Sequence, residues 1–326
     1  MQARRAATAI AHPNIALIKY WGKRDDAQNL PAVGSLSITL GAMQSRTTVQ
    51  FDPALRADRV VLNGREDAVA TRRATRCLDR LRARAGLAEH ALVESANDFV
   101  TGAGLASSAS GFAALVTAGE AALGLRLSAA ERADIARLGS GSAPRSLHGG
   151  FAILRNLDAG GVSCEPCLEA TAWPLRVVIA VTSLAAKDVD SRDGMNRSRD
   201  TSPYYAEWVH SHAADLDAGE DCVRRRDFAA LAELAEHSCL KMHAVMMATR
   251  PPLIYWTPAT LACLQAVREL RGQGLAVFFT IDAGPQVKAV CTAEAAPQVA
   301  RVLAAVPGVA RIIESGLGRG AHLVDE

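Results

Sequence analysis

Four short stretches carry side chains whose types and spacing could do chemistry. The first is Asn97-Asp98-Phe99-Val100-Thr101-Gly102-Ala103-Gly104-Leu105-Ala106-Ser107-Ser108-Ala109-Ser110-Gly111, two glycines one residue apart followed by small and hydroxylated residues. Glycines let a backbone turn tightly and small neighbours let an anion reach the amides, so the stretch reads as a phosphate cradle leading into a helix. It has no Gly-Lys-Ser/Thr ending, and Ser107 stands where the dinucleotide fingerprint has its third glycine. Standing alone, it is equally well a Gly/Ser turn capping an Ala-rich helix. The second stretch, Lys19-Tyr20-Trp21-Gly22-Lys23-Arg24, is either a solvated turn or a place where Lys23 and Tyr20 meet a polyanion, since an ammonium offers three donors to phosphate oxygens. The third, Gly139-Ser140-Gly141-Ser142-Ala143-Pro144-Arg145-Ser146, is a poor structural element but a good anion clamp, because a guanidinium binds a carboxylate bidentately. In the fourth, Asp282-Ala283-Gly284-Pro285, the carboxylate is a turn former or a reacting group.

The elements that must position these groups follow from the apolar periodicity. Residues 8–18 read as a strand interrupted at Pro13, which suits an edge or a bend. Residues 35–40 and 47–51 alternate as strands, and 58–62 form a strand ending in an Asn63-Gly64 hairpin turn. The arginine-rich segment 66–86 is a helix with Leu78 and Leu81 on its apolar face, Gly86 as its stop and an otherwise solvated surface. After a strand near 91–94 and the cradle, a helix runs through Leu115 and Val116 to Gly124, with Glu120 on its surface; its N-terminal dipole favours an anion. Ser128-Ala-Ala-Glu131 is a capping box for a helix to about Leu138, which delivers the Arg145 loop ahead of the strand 150–154. The buried strand 175–182 comes next, with a domain boundary just beyond it, then a charged loop from Lys187 to Met195. Ser202-Pro203 opens a helix. Residues 204–249 are helical, in two helices broken near Gly219, and Thr257-Pro258 starts another that ends at Gly272–Gly274. Strands 275–281 and 287–291 flank the Asp282 turn, and a helix near 294–305 and a strand 309–313 complete an α+β domain of ferredoxin-like type.

With 326 residues, 49% hydrophobic and 21% charged, the chain suits two packed globular domains. A net charge of +2 leaves no nucleic-acid footprint. The basic pair near the start leads into a strand, and no stretch approaches the roughly 18 apolar residues of a membrane span. Seven scattered cysteines suit a reducing cytosol, and Cys164-Glu-Pro-Cys167 has no second pair with which to build a metal or redox site. His210 and His212 are two apart and diverge on a helix, and His243 reads as a packing histidine.

The motifs together resemble the ATP-dependent diphosphomevalonate decarboxylases of the GHMP kinase superfamily. The resemblance runs in order through Asn14-Ile-Ala-Leu-Ile-Lys19-Tyr20-Trp21-Gly22-Lys23-Arg24-Asp25, Gly104-Leu-Ala-Ser107-Ser108-Ala-Ser110, Ser140-Gly-Ser142-Ala-Pro-Arg145-Ser146 and Asp282-Ala283-Gly284-Pro285. Lys187-Asp-Val-Asp-Ser191-Arg192-Asp-Gly-Met195 looks like the bacterial form of the diphosphate-binding segment. What the resemblance implies is an α+β GHMP kinase fold: a ribosomal protein S5 domain 2-like domain over 1–184 that holds ATP, and a ferredoxin-like domain over 185–326. It implies ATP- and Mg²⁺-dependent conversion of (R)-mevalonate 5-diphosphate to isopentenyl diphosphate, with phosphorylation of the 3-hydroxyl preceding loss of phosphate and CO₂.

By the same resemblance Asp282, Arg145, Ser108 and Asn14 are catalytic, Asp282 orienting or deprotonating the hydroxyl and Arg145 holding the substrate carboxylate. Tyr20, Lys19, Lys23, Ser140, Ser142, Lys187, Ser191, Arg192 and Met195 line the substrate. Gly102, Gly104, Leu105, Ala106, Ser107 and Ser108 cradle the triphosphate, with Ser95 and Asn97 assigned to adenine, and Ser107 and Ser108 add hydroxyls for Mg²⁺. A cytoplasmic homodimer is expected. The chain departs from the family at Val33-Gly34, where Asn-Ser is usual, at Pro144 and His148, where Cys and an aromatic are usual, and at Gln286. A decarboxylase of mevalonate 5-phosphate, a 3-kinase and a non-catalytic binding protein on this fold are the rival readings; intact Asp282, Arg145 and cradle serines argue against the last two.

Overall fold

The computed structural model describes residues 5–99, 107–158, 160–185 and 188–324. Its N-terminal half runs β1 (Arg5–Ala11), β2 (Asn14–Ile18), β3 (Lys23–Asp25), β4 (Leu30–Pro31), β5 (Ser35–Thr39), β6 (Ser45–Asp52), β7 (Arg59–Leu62), β8 (Arg65–Glu66), α1 (Ala68–Ala85), β9 (His90–Asn97), α2 (Ser107–Ala122), α3 (Ala129–Gly139), α4 (Ala143–Ser146), β10 (Phe151–Asn156) and β11 (Val162–Leu168). The remainder runs β12 (Arg176–Val181), α5 (Ser191–Thr201), α6 (Tyr205–Arg225), α7 (Phe228–Met247), α8 (Pro258–Gly272), β13 (Val277–Ile281), β14 (Val287–Cys291), α9 (Ala296–Ala304), β15 (Arg311–Gly316) and β16 (His322–Leu323).

Pro13 does bend the chain, and the bend moves it between sheets. β1 lies in a six-stranded sheet ordered β16-β1-β6-β9-β7-β8, whereas β2 is an edge of a four-stranded sheet ordered β11-β10-β5-β2. The Asn63-Gly64 turn is the expected hairpin, with φ of 50° and 79°, and it joins β7 to β8. Helices α1, α2 and α3 cover the six-stranded sheet with Leu78, Leu81, Leu115 and Val116. The capping box at Ser128 and Glu131 starts α3 as its sequence demands. Glu120, expected on the surface of α2, is instead buried: it receives Arg132 Nε at 2.7 Å and the amide of Leu127 at 2.9 Å, and so fastens α3 to α2.

The second half has the ferredoxin-like order. Its sheet is β13-β14-β12-β15, all antiparallel, in which the first strand sits between the third and the fourth. β12, expected to close the first domain, is hydrogen-bonded within this sheet, which therefore begins ahead of residue 185. Both faces are covered, so its strands are apolar throughout rather than alternating. Val177, Ile179, Phe278 and Val290 face a core shared with β2, β5 and β10, while Val178, Phe279, Ile281 and Ala289 face α8 and α9.

Three helix boundaries differ from expectation. The segment read as a charged loop becomes helical at Ser191, because Asp190 is an N-cap that accepts the amides of Arg192 and Asp193. Ser202, read as a helix start, is the C-cap of α5, and α6 begins at Tyr205. The break between α6 and α7 falls at Arg226, in left-handed conformation with φ of 56°, followed by the N-cap Asp227. Gly219 instead lies inside α6 where the helix crosses β2; a Cβ there would come within 2.7 Å of Ile18 Cγ1.

Candidate active site

Asp282 leaves the end of β13 in the expected turn and meets two ammonium groups. Lys19, just past β2, approaches its Oδ1 at 2.7 Å, and Lys288, from β14, approaches Oδ2 at 3.2 Å. Both lysines are 1% exposed, whereas the carboxylate is 27% exposed. Burial alone would raise the Asp282 pKa, but the two ammoniums outweigh it and hold the carboxyl well below the usual range. The group is a permanent anion and a weak base, suited to accepting a hydrogen bond from a hydroxyl. Lys288 escaped the sequence reading, although a lysine inside the apolar run Val287-Lys-Ala-Val-Cys needs a buried partner.

A second constellation forms where α4 crosses β2 and β5. Arg145 Nε donates to Asn14 Oδ1 at 3.0 Å, one Nη donates to Ser35 Oγ, and the guanidinium stands 5.9 Å from the Tyr20 ring centroid. Asn14 Nδ2 in turn donates to Ser146 Oγ at 2.8 Å and to the Ser142 carbonyl at 3.1 Å. Arg145 is 4% exposed and has no ion-pair partner among the described residues. Burial lowers its pKa, and Asp282 acts on it electrostatically. A buried guanidinium without a counter-ion is costly, and its chemistry suits a carboxylate. Ser108, at the start of α2, lies 3.1 Å from Ser140 Oγ, which lies 3.2 Å from Ser142 Oγ, so the cradle helix and the Arg145 loop meet through hydroxyls.

The third group is cationic. Lys23 is buried, donates to Tyr20 Oη at 2.8 Å and to Asn29 Oδ1, and has no ion pair among the described residues. Burial first, then the nearby Arg192, brings its pKa down to about 7. Arg192, in the first turn of α5, is held by Asp26 at 2.8 and 2.9 Å. Arg73 joins them from α1, donating to the Gly139 carbonyl at 2.8 Å and lying 4.9 Å from the Phe112 ring centroid. By composition α1 reads as a solvated face; the signal that sets Arg73 apart is that it lies one turn before buried Cys77. Trp21 Nε1 donates to Ser198 at 3.0 Å and Trp208 Nε1 to the Trp21 carbonyl at 3.0 Å, which seats α5 and α6 against this loop.

Some expected residues lie apart. Met195 is buried among Trp21, Trp208 and Met242, in a cluster that Tyr20 and Ala283 also pack against. Ser95 is bonded to Thr47 at 2.9 Å on β9. Asn97 shares Ser45 with Ser110, which ties it to the first turn of α2. Gly102, Gly104, Leu105, Ala106 and Lys187 lie outside the described residues. Ser107 and Ser191 are the first residues of α2 and α5. His212 Nε2 donates to the Gly34 carbonyl at 3.0 Å from inside the core, and no group of three His, Cys, Asp or Glu suited to a metal occurs among the described residues. All seven cysteines are free and buried. Gln286 ties the Asp282 turn to the segment just past β12 by donating to the Ser183 carbonyl at 2.6 Å.

Both halves of the chain match known proteins. A model of the diphosphomevalonate decarboxylase-like N-terminal domain matches residues 11–164, and one of the mevalonate 5-diphosphate decarboxylase C-terminal domain matches residues 177–317. Diphosphomevalonate decarboxylase mvd1 of Aspergillus fumigatus is 38% identical over 304 residues, covering 86% of this chain and 75% of that protein. The chain belongs to the diphosphomevalonate decarboxylase family. Within that family's wider similarity, the phosphomevalonate decarboxylase of Haloferax volcanii is 34% identical and covers 98% of both chains. A solved structure described as MDDEF in complex with MVAPP, AMPPCP and magnesium is 37% identical, with a TM-score of 0.90 over 99% of this chain and 100% of that one. The GHMP-type decarboxylase fold is thus this chain's fold.

Proposed function

We propose that the chain decarboxylates mevalonate 5-diphosphate with ATP, and that the buried, uncompensated Arg145 is the observation that carries this reading. A guanidinium held by Asn14 and Ser35, within electrostatic reach of Asp282, fits the C1 carboxylate of a substrate whose 3-hydroxyl lies at Asp282. Asp282 accepts the hydroxyl hydrogen bond and aims the oxygen at the γ-phosphorus. The hydroxyl oxygen bonds to the γ-phosphorus as the phosphorus–oxygen bond to ADP breaks, and the hydroxyl proton passes to phosphate oxygen or solvent; the C3–O bond then breaks with its electron pair leaving on phosphate, the C1–C2 pair becomes the C2–C3 double bond, and C1 departs as CO₂. Because two ammoniums hold Asp282 anionic, its part is orientation and stabilisation of positive charge developing at C3 more than proton removal. Lys23, Ser191 and Arg192 anchor the far phosphates, which fixes the reacting carbon.

Magnesium, as in the described AMPPCP complex, would arrive on the nucleotide phosphates. Ser107 or Ser108, at the start of α2, would add a hydroxyl to a Mg²⁺ that otherwise takes phosphate and water ligands. It would neutralise phosphate charge during transfer. We further propose a homodimer in the cytosol; no helix among the described residues is long and apolar enough to cross a membrane.

A second reading, decarboxylation of the 5-monophosphate, draws on the Haloferax relative and on Arg192, whose charge Asp26 already satisfies. The purified protein with ATP·Mg²⁺ and mevalonate, its 5-phosphate or its 5-diphosphate decides between them. Equal ADP and CO₂ only with the diphosphate supports the main reading; CO₂ with the monophosphate supports the second; ADP without CO₂ makes the chain a 3-kinase and overturns both.

A further inference from the structure

β13, which delivers Asp282, is an edge strand whose one strand neighbour among the described residues is β14. In an antiparallel pair alternate residues turn their N–H and C=O groups away from the partner, so an edge leaves those groups to be satisfied elsewhere. Here one helix takes them. Glu236 Oε1 accepts the Phe279 amide at 3.1 Å, and Cys239 Sγ accepts the Ile281 amide at 3.2 Å. His243 Nε2 lies 3.4 Å from the Ile281 carbonyl. The three residues are spaced three and four apart, which places them on one face of α7. All are buried, at 8%, 0% and 1% exposure. On the same helix Ser238 Oγ accepts the Lys19 amide at 2.9 Å, and across the cleft Thr280 Oγ1 donates to the Ala16 carbonyl at 3.3 Å.

We propose that α7 is the positioning device of the site: Glu236, Cys239 and His243 stand in for a fifth strand along β13, and Ser238 holds the opposite partner, so one helix sets the spacing between Asp282 and Lys19. These are positioning residues, none of which touches substrate. Several details agree. Glu236 is itself fixed by Arg271 at 2.9 Å, so its carboxylate cannot swing away from Phe279. Burial brings the His243 imidazole pKa down to about 3, which keeps it neutral. Its Nδ1 has no partner, and its Nε2 lies 3.4 Å from both the Ile281 carbonyl and the Trp256 indole N–H, so the ring donates to Ile281 in one neutral tautomer and accepts from Trp256 in the other, and in both it is lodged against the end of β13. Cys239 also reaches the Ile281 carbonyl at 3.5 Å, so the residue immediately before Asp282 is held at both backbone groups.

The inference rests on the decarboxylase reading for its kinetic readout and on amide exchange for a readout independent of it. In Cys239→Ala, a displacement of Asp282 of the order of 1 Å lowers kcat about 10- to 100-fold with both KM values within about twofold, while Cys239→Ser, which keeps a donor and acceptor, returns kcat to within about threefold of the parent. His243→Leu against His243→Gln is the parallel pair should Cys239→Ala fail to fold; Gln can place its amide nitrogen where Nε2 stands. In ligand-free protein the amides of segment 277–284 exchange faster in Cys239→Ala and in His243→Leu than in the parent. Unchanged exchange overturns the proposal whatever the substrate proves to be. An active parent whose variants keep kcat and lose only thermal stability overturns it too, as does a Ser variant as impaired as the Ala variant. A parent that releases no CO₂ refutes the decarboxylase reading alone, and the exchange result still judges the clamp.

Discussion

Replacing Arg145 by glutamine should move activity and stability in opposite senses. In the free protein the guanidinium is almost fully buried, with hydrogen bonds to Asn14 and Ser35 and no ion pair among the described residues. Its lowered pKa has burial as its largest cause, meaning that the charged form is disfavoured where it sits. On the proposed function, the substrate carboxylate supplies the missing anion. At about 4 Å and an effective dielectric near 20, such a pair is worth about 4 kcal/mol, and truncating one partner of a buried charge pair costs roughly 2–5 kcal/mol. That range corresponds to a fall in kcat/KM of about 30- to 5,000-fold. Glutamine keeps polar atoms for Asn14 and Ser35 but carries no charge, so the ligand-free thermal midpoint should be unchanged or higher. The assay follows CO₂ and ADP across substrate concentrations, with thermal midpoints taken with and without substrate. Stabilisation by substrate should shrink in the variant. An Arg145→Gln protein that keeps kcat/KM within about threefold and unfolds at a clearly lower temperature would show that Arg145 is a structural residue, and the reasoning fails.

Three further outcomes are expected. Asp282→Asn should lower kcat by about 10²–10⁴ or more and, by leaving Lys19 and Lys288 without their counter-ion, destabilise the fold by about 3 kcal/mol in chemical denaturation. The depressed carboxyl contributes stability that is present above the unfolded pKa near 3.9 and lost as pH falls towards its lower folded value, so the gap between parent and variant should narrow only below about pH 4. Lys23, brought down to about 7, binds its proton less tightly folded than unfolded; substrate KM should rise as pH increases from 7 to 9, and Lys23→Arg should flatten that dependence. The burial cost of the Lys23 charge is fully felt below pH 7 and relieved as pH rises, so stability and substrate affinity should diverge over this window. Gly219→Ala, which sets a Cβ 2.7 Å from Ile18 Cγ1, should cost about 1–3 kcal/mol measured by urea unfolding.

Much of this was legible because the chemistry-bearing residues are contiguous in sequence and bracketed by strong local signals. Asn63-Gly64, the Ser128 capping box and Thr257-Pro258 each form the turn or helix start that their composition demands. The misplaced boundaries share a cause: short-range signals competed. Asp190 and Ser202 are both good N-caps by composition; Asp190 takes that role because Met195 and Ser198 of α5 are buried beside Trp21, which leaves Ser202 as the C-cap of the same helix. Gly219 reads as a breaker until one knows that Ile18 lies against it. Lys288 and Arg73 were missed for a related reason. Charge partners such as Asp282 and Asp190 are tertiary neighbours, and an arginine among many on α1 looks solvated until burial singles it out.

The return of the chain after β15 has a consequence for how the protein is made. Gly316 accepts the Gly41 amide at 2.9 Å, Gly318 donates to Thr39 at 2.7 Å, Ala321 donates to the Ser146 carbonyl at 3.2 Å, and β16 pairs with β1. On the ribosome β1, β5 and α4 emerge long before these residues, so the outer edge of β1 and the C-terminal end of the Arg145 helix wait, unpaired, for most of translation. An exposed strand edge is a template for wrong partners. The nascent N-terminal half therefore carries an open strand edge until the tail arrives, and the Ser146 end of α4 gains the Ala321 amide only when the last residues fold back.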